Sequence, residues 1–370
     1  MMIVWTISLG LLLLIKFSDG SQDFSYDGNH GPSHWPIDYQ SCVGKHQSPI
    51  NIEEHNVKNI NLPPLRFEKL DLPRSSFITN NGHTVMIKTN ESEAAVVSGG
   101  PLRDNYIFEQ LHFHWGENDS EGSEDYINNH SFAMELHAVF YKQSYKSMTE
   151  AVNHPDGLAV FAYFYEAADK ENPTYKPIVE VLPKVETVGS KHELKEPLLL
   201  EHLLIPNMST MQNYFTYNGS LTTPPCSEVV TWVDFKNPQL LSHDQVYRIL
   251  FIVIIGSLFF TYSYTLEGLY TLNGTRVLNS IKMRFKFQLA AFRNLRTSDG
   301  NKLTHNFRPV QPLSDRLVYH NVFNIDNDVP LENNLNNNED AGDKYNGGLS
   351  IRSSATMSIL FVVSTVLVTI

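Results

Sequence analysis

The chain has 370 residues, 42% of them hydrophobic and 18% charged, so it can bury one large core or two smaller ones. A formal net charge of −12, with no local cluster of Lys and Arg, excludes a nucleic-acid surface, which needs a basic patch.

The chain opens with "MMIVWTISLGLLLLIKFSDGSQ", an apolar run too short to span a bilayer, followed by the small residues Ser18 and Gly20 spaced as at a signal-peptidase site. Residues 1–20 therefore read as a secretory signal, although the stretch lacks an early Lys or Arg and Lys16 follows the apolar run. In an oxidising compartment the two cysteines, Cys42 and Cys226, are most simply one disulfide closing a long loop; two buried thiols are the alternative. Asn-X-Ser/Thr triplets at Asn90, Asn118, Asn129 and Asn207 are N-glycan acceptors that fit that compartment.

The body of the chain reads as short strands and loops. "SFITNNGHTVMIKTN" has a turn at Asn80-Asn81-Gly82, then His83, Val85 and Ile87 on one face. "AMELHAVFY" sets Glu135, His137 and Val139 against Met134, Leu136 and Ala138, and "LAVFAYFY" is apolar throughout. Helix signals are few; the best is "SHDQ", a capping box with Ser242 as N-cap and Gln245 three residues on. Residues 326–345 are rich in Asn and acids, without the apolar content to pack. A polar spacer and the tail "ILFVVSTVLVTI" follow, with nothing basic after it. That order suggests a glycolipid-anchor signal over 346–370, with attachment at Asn346; a hydrophobic helix embedded by its tail is the alternative.

The chemistry concentrates in "EQLHFHWG". On a strand, Gln110, His112 and His114 share one face while Leu111, Phe113 and Trp115 share the other. Neutral imidazoles are good zinc ligands, and a third comes from a neighbouring strand, where His137 is the candidate. Glu135, two residues from His137, and Gln110, two from His112, are placed to accept the ligands' second N–H. Three histidines with an open fourth position describe a catalytic rather than a structural zinc site. No HExxH, GxSxG or GxxxxGK[ST] occurs, so metalloprotease, α/β-hydrolase and P-loop readings have no local support. His55, His154 and His320 read as surface residues.

These segments, with "HGPSHWP", "HQSPINI", "NNGHTV", "GSE", "MELHAVFY", "PDGLAVFAYF", "YNGSLTTPPCSEVVTW" and "NFRPVQPL", occur in an order that resembles the α-class carbonic anhydrases of the secreted, glycolipid-anchored kind, over most of Tyr26 to Arg316. The resemblance implies a mainly β fold for residues 21–325: a large, twisted, mostly antiparallel sheet with short helices and a conical cleft with zinc at its floor. It implies reversible hydration of carbon dioxide to bicarbonate and a proton by zinc-bound hydroxide. His112, His114 and His137 would be the ligands, with Gln110 and Glu135 behind them. Thr222 would accept from the hydroxide while donating to Glu124. Val139, Val160, Leu221 and Trp232 match the apolar wall for carbon dioxide, with Thr223 beside them. His83 matches the proton shuttle, with Tyr26 and Asn81 ordering its water chain. Cys42 and Cys226 fall where secreted members carry their disulfide.

The chain departs from this pattern in two places. Asp125 follows "GSE" where many members carry histidine, which bears on the hydrogen bonding behind Glu124. Residues 246–288 interrupt the "SHDQ…LAAFRNL" segment with an apolar run that no surface loop should carry. Its edges can be encoded as intron boundaries, so a translated intron is expected there, a membrane-touching or partner-binding hairpin being the alternative. The expected partners are carbon dioxide and bicarbonate, the membrane through the lipid anchor at the extracellular face, and no nucleic acid. No ion transporter is singled out. A catalytically inactive carbonic-anhydrase-like binding module at the cell surface is the competing reading.

Overall fold

The computed structural model describes residues 24–90, 93–242, 288–298 and 300–322. The signal segment, residues 243–287 with Gln245 and nearly all of the interrupting segment, the linker, and the tail with Asn346 lie outside the described residues.

Fourteen strands are formed among the described residues: β1 (Asn51–Ile52), β2 (Lys58–Ile60), β3 (Arg66–Glu68), β4 (Ser76–Asn80), β5 (Val85–Thr89), β6 (Val96–Gly99), β7 (Leu102–Trp115), β8 (Tyr126–Ile127), β9 (Met134–Lys142), β10 (Leu158–Ala168), β11 (Lys191–Glu193), β12 (Tyr214–Gly219), β13 (Val230–Ser242) and β14 (Tyr319–Asn321). Twelve make one sheet in the order β11-β4-β5-β7-β9-β10-β13-β12-β14-β2, extended by β3 on β6 and β6 on β7. Within it β10–β13 and β14–β2 are parallel and the other pairs antiparallel, as the sequence leads one to expect. β1 and β8 form a separate parallel pair. The helices are single turns, such as Trp35–Asp38 and Leu200–Leu204. No helix among the described residues is long and apolar enough to cross a membrane.

The central strands explain the apolar runs. Met134–Phe140 of β9 and Leu158–Tyr165 of β10 are buried throughout, because the sheet is covered on both faces. Ala159, Phe161, Tyr163 and Tyr165 join Leu136 and Ala138 in one core, whereas Leu158, Val160, Ala162 and Phe164 join Val139 and Trp232 in the other. Each such large side chain removed from water contributes about 1.5–3 kcal/mol before entropy is counted.

The alternation of β7 changes phase along its length. Tyr106 and Phe108 face the first core at even positions, but Leu111, Phe113 and Trp115 face it at odd ones. An irregularity in register against β9 between Phe108 and Gln110 makes the change. The bulge is what aims Gln110, His112 and His114 at the opposite face.

Two local readings differ in detail. Ser242 ends strand β13, and the rest of its expected capping box lies outside the described residues. Among the described residues, Ser147 caps an α-turn, its hydroxyl accepting from the Glu150 amide at 3.2 Å, and Asn172 and Asn207 cap 3-10 turns through their side chains. Of the histidines read as surface residues, His55 is exposed. His154 is half-buried against Tyr145, and His320 is half-buried at 2.8 Å from the Asn213 carboxamide.

Candidate metal centre

The register of β7 and β9 assembles the three histidines: His112 lies directly opposite His137, and His114 opposite Glu135. Their ring centroids are 4.5–5.2 Å apart. Each ring has one nitrogen engaged. His112 Nδ1 donates to Gln110 Oε1 at 3.0 Å, His114 Nδ1 to the Asn306 carbonyl at 2.7 Å, and His137 Nε2 to Glu135 Oε1 at 2.6 Å. An N–H fixed on one nitrogen leaves the lone pair on the other, so His112 Nε2, His114 Nε2 and His137 Nδ1 are the free donors.

The three residues offer ligand atoms within 4.8 Å of one another. Burial holds all three imidazoles below the ordinary histidine range, to about 3 for His137. They are therefore neutral donors rather than cations. His114 Nε2 is a buried ring nitrogen with no hydrogen-bond partner, which a metal ion at the convergence would satisfy. Three neutral imidazoles with an open position are the donor set of catalytic zinc.

The surrounding groups are ordered from far along the chain. Glu135 Oε2 accepts the amides of Glu124 and Asp125 at 2.8 and 3.0 Å. Burial pushes the Glu135 carboxyl up to about 8 against the pull of those amides. Glu124 Oε1 accepts the Arg308 amide at 2.8 Å, while Oε2, without a hydrogen-bond partner of ordinary geometry, stands 3.3 Å from His114 Nε2. Burial raises the Glu124 carboxyl well above its ordinary range, opposed first by the Thr222 hydroxyl and then by the Arg308 amide. Thr222 is buried and Thr223 half-buried in the loop where the Leu221 amide donates to the Ser227 carbonyl. Cys226 of that loop is bonded to Cys42, with Cα atoms 4.9 Å apart. The disulfide reading holds over that of two thiols.

Val139, Val160 and Trp232 are buried in one core with Leu221 packed against it, and the Trp232 ring meets the His137 ring edge-on at 4.9 Å. The four residues expected to form an apolar wall are thus gathered beside His137. Tyr26 is buried, its hydroxyl unpartnered and raised well above the ordinary tyrosine range, first by burial and then by Glu124. Asn81 closes the turn before His83: its Oδ1 accepts the His83 and Thr84 amides, and Gly82 takes φ +94°. The half-buried His83 ring stacks on Phe24, 3.8 Å between centroids. Asn90, Asn118, Asn129 and Asn207 are all exposed.

Sequence reasoning missed three contributors. Asn306 receives His114 Nδ1 on its carbonyl, takes the Trp115 amide on Oδ1 at 2.7 Å and donates Nδ2 to the His83 carbonyl at 3.1 Å. Arg308 holds Glu124 through its amide while its guanidinium donates to Gln47 Oε1 and the Ser48 and Cys42 carbonyls. Phe24 has no signal except its aromatic character. Asn218-Gly219-Ser220 is a further acceptor triplet, in which Asn218 is exposed while Gly219 and Ser220 are buried.

A β-sheet that converges three neutral histidines from two adjacent strands offers a candidate metal centre. The eukaryotic-type carbonic anhydrase family matches residues 30–253, more than half of the chain. The chain belongs to that family. It is similar to carbonic anhydrase 7 of Homo sapiens, 39% identical over 230 residues, which cover 61% of this chain and 84% of the relative. Carbonic anhydrase 6 of Homo sapiens is 37% identical over 250 residues, 65% and 79% of the two chains, and carbonic anhydrase 15 of Mus musculus 34% over 249 residues, 65% and 76%.

Proposed function

We propose that the chain is a zinc enzyme catalysing the reversible hydration of carbon dioxide to bicarbonate and a proton, at the extracellular face of the plasma membrane. The observation that carries this reading is the convergence of three lone pairs, each set by an acceptor on the opposite ring nitrogen. Bound there, zinc supplies a Lewis acid that lets water ionise near neutral pH.

The remaining chemistry belongs to the chain. The Thr222 hydroxyl is turned toward the Glu124 carboxyl, so its own lone pairs face the reacting water and orient it; Glu124 is held for this by the Arg308 amide on Oε1. Val139, Val160, Leu221 and Trp232 offer carbon dioxide a surface without hydrogen-bond competition. His83 accepts the released proton through water ordered by Tyr26 and Asn81, and its ring, stacked on Phe24, passes it to buffer. Stopped-flow hydration with zinc quantified in the same sample tests the reading. Activity lost together with zinc in His112→Ala is expected; stoichiometric zinc without hydration in the parent protein overturns it in favour of a binding module.

The Cys42–Cys226 disulfide and the exposed acceptor asparagines support a secretory route, with residues 1–20 removed and the tail exchanged for a glycolipid at Asn346. We read residues 246–288 as a translated intron, with a membrane-touching or partner-binding hairpin as the alternative; Leu289 and Phe292, just beyond the segment, are buried in the main core.

A further inference from the structure

Strand β13 carries a residue that the metal centre does not explain. Asp234 is fully buried, paired in register with Ala162 of β10 and Phe215 of β12, and neither of its carboxyl oxygens has a hydrogen-bond partner. Strand alternation places it on the side of Val230 and Trp232. Asp125, also fully buried, accepts the Ile50 amide at 2.7 Å and the Tyr217 hydroxyl at 3.1 Å on Oδ1, and leaves Oδ2 unpartnered. Tyr217 lies on β12, two residues from the Phe215 that pairs with Asp234. Tyr217, which donates to Asp125, faces Trp232 across the same strand pair, one step along that face from Asp234. Burial first and then Asp125 raise the Asp234 carboxyl well above its ordinary range, and three carboxyl oxygens of the two acids have no hydrogen-bond partner.

The groups around them supply no counter-charge to Asp234. Glu135 repels both acids from β9, and Glu124 precedes Asp125 in the chain. Tyr217 is raised well above the ordinary tyrosine range, mainly by burial and next by Asp125 and Asp234. Arg316 favours an ionised Asp125, but donates its N–H groups to the carbonyls of Leu313, Asn218, Gln47 and Pro312. Two ionised carboxylates cannot persist side by side in such an interior, whereas a carboxylic acid and a carboxylate can. An ionised aspartate at position 125 brings no N–H or O–H of its own, so a donor must come from elsewhere.

We propose that Asp125 and Asp234 hold one proton between them, with Asp234 donating to Asp125 Oδ2, and that Asp234 is thereby a positioning residue for the metal centre. Asp125 so fixed keeps its own amide and that of Glu124 on Glu135 Oε2, and Glu135 Oε1 holds His137. The shared proton comes from solvent during folding, since free aspartates ionise near pH 3.9. The folded pair binds more protons than the unfolded chain above that pH, so its contribution to stability is full below about 3.9 and declines as pH rises, by tenfold in the folding constant per unit, until the folded pair itself ionises.

The test is urea unfolding of the full-length, zinc-loaded protein between about pH 5 and 8, the range in which free aspartates stay ionised, comparing wild type with Asp234→Asn. The carboxamide donates to Asp125 without titrating, so the wild-type constant should fall tenfold per pH unit more steeply than the variant's. Infrared spectra with ¹³C-labelled aspartate should show a protonated carboxyl band in the wild type that Asp234→Asn lacks. Asp234→Val, which has no donor, should weaken zinc binding by at least about tenfold, and Asp234→Asn should restore it. Parallel pH slopes without the infrared band overturn the proposal. Stabilisation by sodium or calcium at constant pH and ionic strength overturns it too, since a bound cation then holds the pair. Slope and infrared band do not depend on catalysis, so they separate failure here from failure of the carbonic anhydrase reading. Should Asp234→Asn not fold, the wild-type band and the slope of Asp125→Asn decide.

Discussion

Glu135→Ala probes how the centre is held. The carboxylate is fully buried and satisfies three donors: His137 Nε2 at 2.6 Å on one oxygen, and the Glu124 and Asp125 amides at 2.8 and 3.0 Å on the other. Truncation removes the acceptor that fixes the His137 tautomer, a loss typically of 10–100-fold in metal affinity, or about 1.4–2.7 kcal/mol. It also orphans two buried amides at about 1–3 kcal/mol each, less where water enters the vacated volume. Glu135→Gln keeps the volume but replaces one acceptor oxygen by an NH₂, which meets donors on whichever side it points. Both variants should bind zinc more weakly, Gln by less than Ala. Chelator competition gives the dissociation constants, and near-ultraviolet circular dichroism checks the fold. A Glu135→Ala protein that folds and binds zinc within twofold of the parent would refute the argument that this carboxylate sets the ligand.

His83→Ala should lower turnover in weak buffer while leaving the exchange of carbon dioxide and bicarbonate at chemical equilibrium nearly intact, and added imidazole should restore it; an unchanged turnover assigns the relay elsewhere. Replacing Cys42 and Cys226 by Ser opens a loop of 184 residues and should destabilise the fold by up to about 5 kcal/mol on the chain-entropy estimate, read as a lowered urea midpoint. Phosphatidylinositol-specific phospholipase should release the protein from cell membranes, whereas retention with an intact tail by mass spectrometry favours an embedded helix. Transcript sequencing should join "LSHDQ" directly to "LAAFRNL"; a tryptic peptide from within 246–288 in the native protein refutes the intron.

The histidine cluster was legible in the sequence because strand geometry is local. Once a strand begins at Gln110, alternation alone puts His112 and His114 together, and the same rule gives Glu135 beside His137. What alternation does not reveal is its own phase: the bulge between Phe108 and Gln110 reverses which face is polar, and the residues before it, read with those after it, would give a contradictory pattern. The acceptors divide along the same line. Gln110 and Glu135 lie two residues from the rings they orient, but His114 is oriented by a backbone carbonyl, at Asn306, which any residue type can supply. A carbonyl leaves no trace in composition.

The Asn306 side chain is the exception, and its conduct shows why the segment around it matters. Its Oδ1 takes the Trp115 amide and its Nδ2 the His83 and Phe113 carbonyls, so one carboxamide ties the His83 turn to the strand bearing His112 and His114. Two residues on, the Arg308 amide fixes Glu124 while its guanidinium reaches the Cys42 carbonyl. Long-range contacts of this kind are closed only when the chain returns after β13, so the centre is completed late in the sequence by residues that carry no ligand. The stretch immediately before that return is where residues 246–288 intrude. Whatever separates β13 from Leu289 must leave the 303–308 segment in register with β7, because a displacement there would free His114 Nδ1 and the Glu124 carboxylate together.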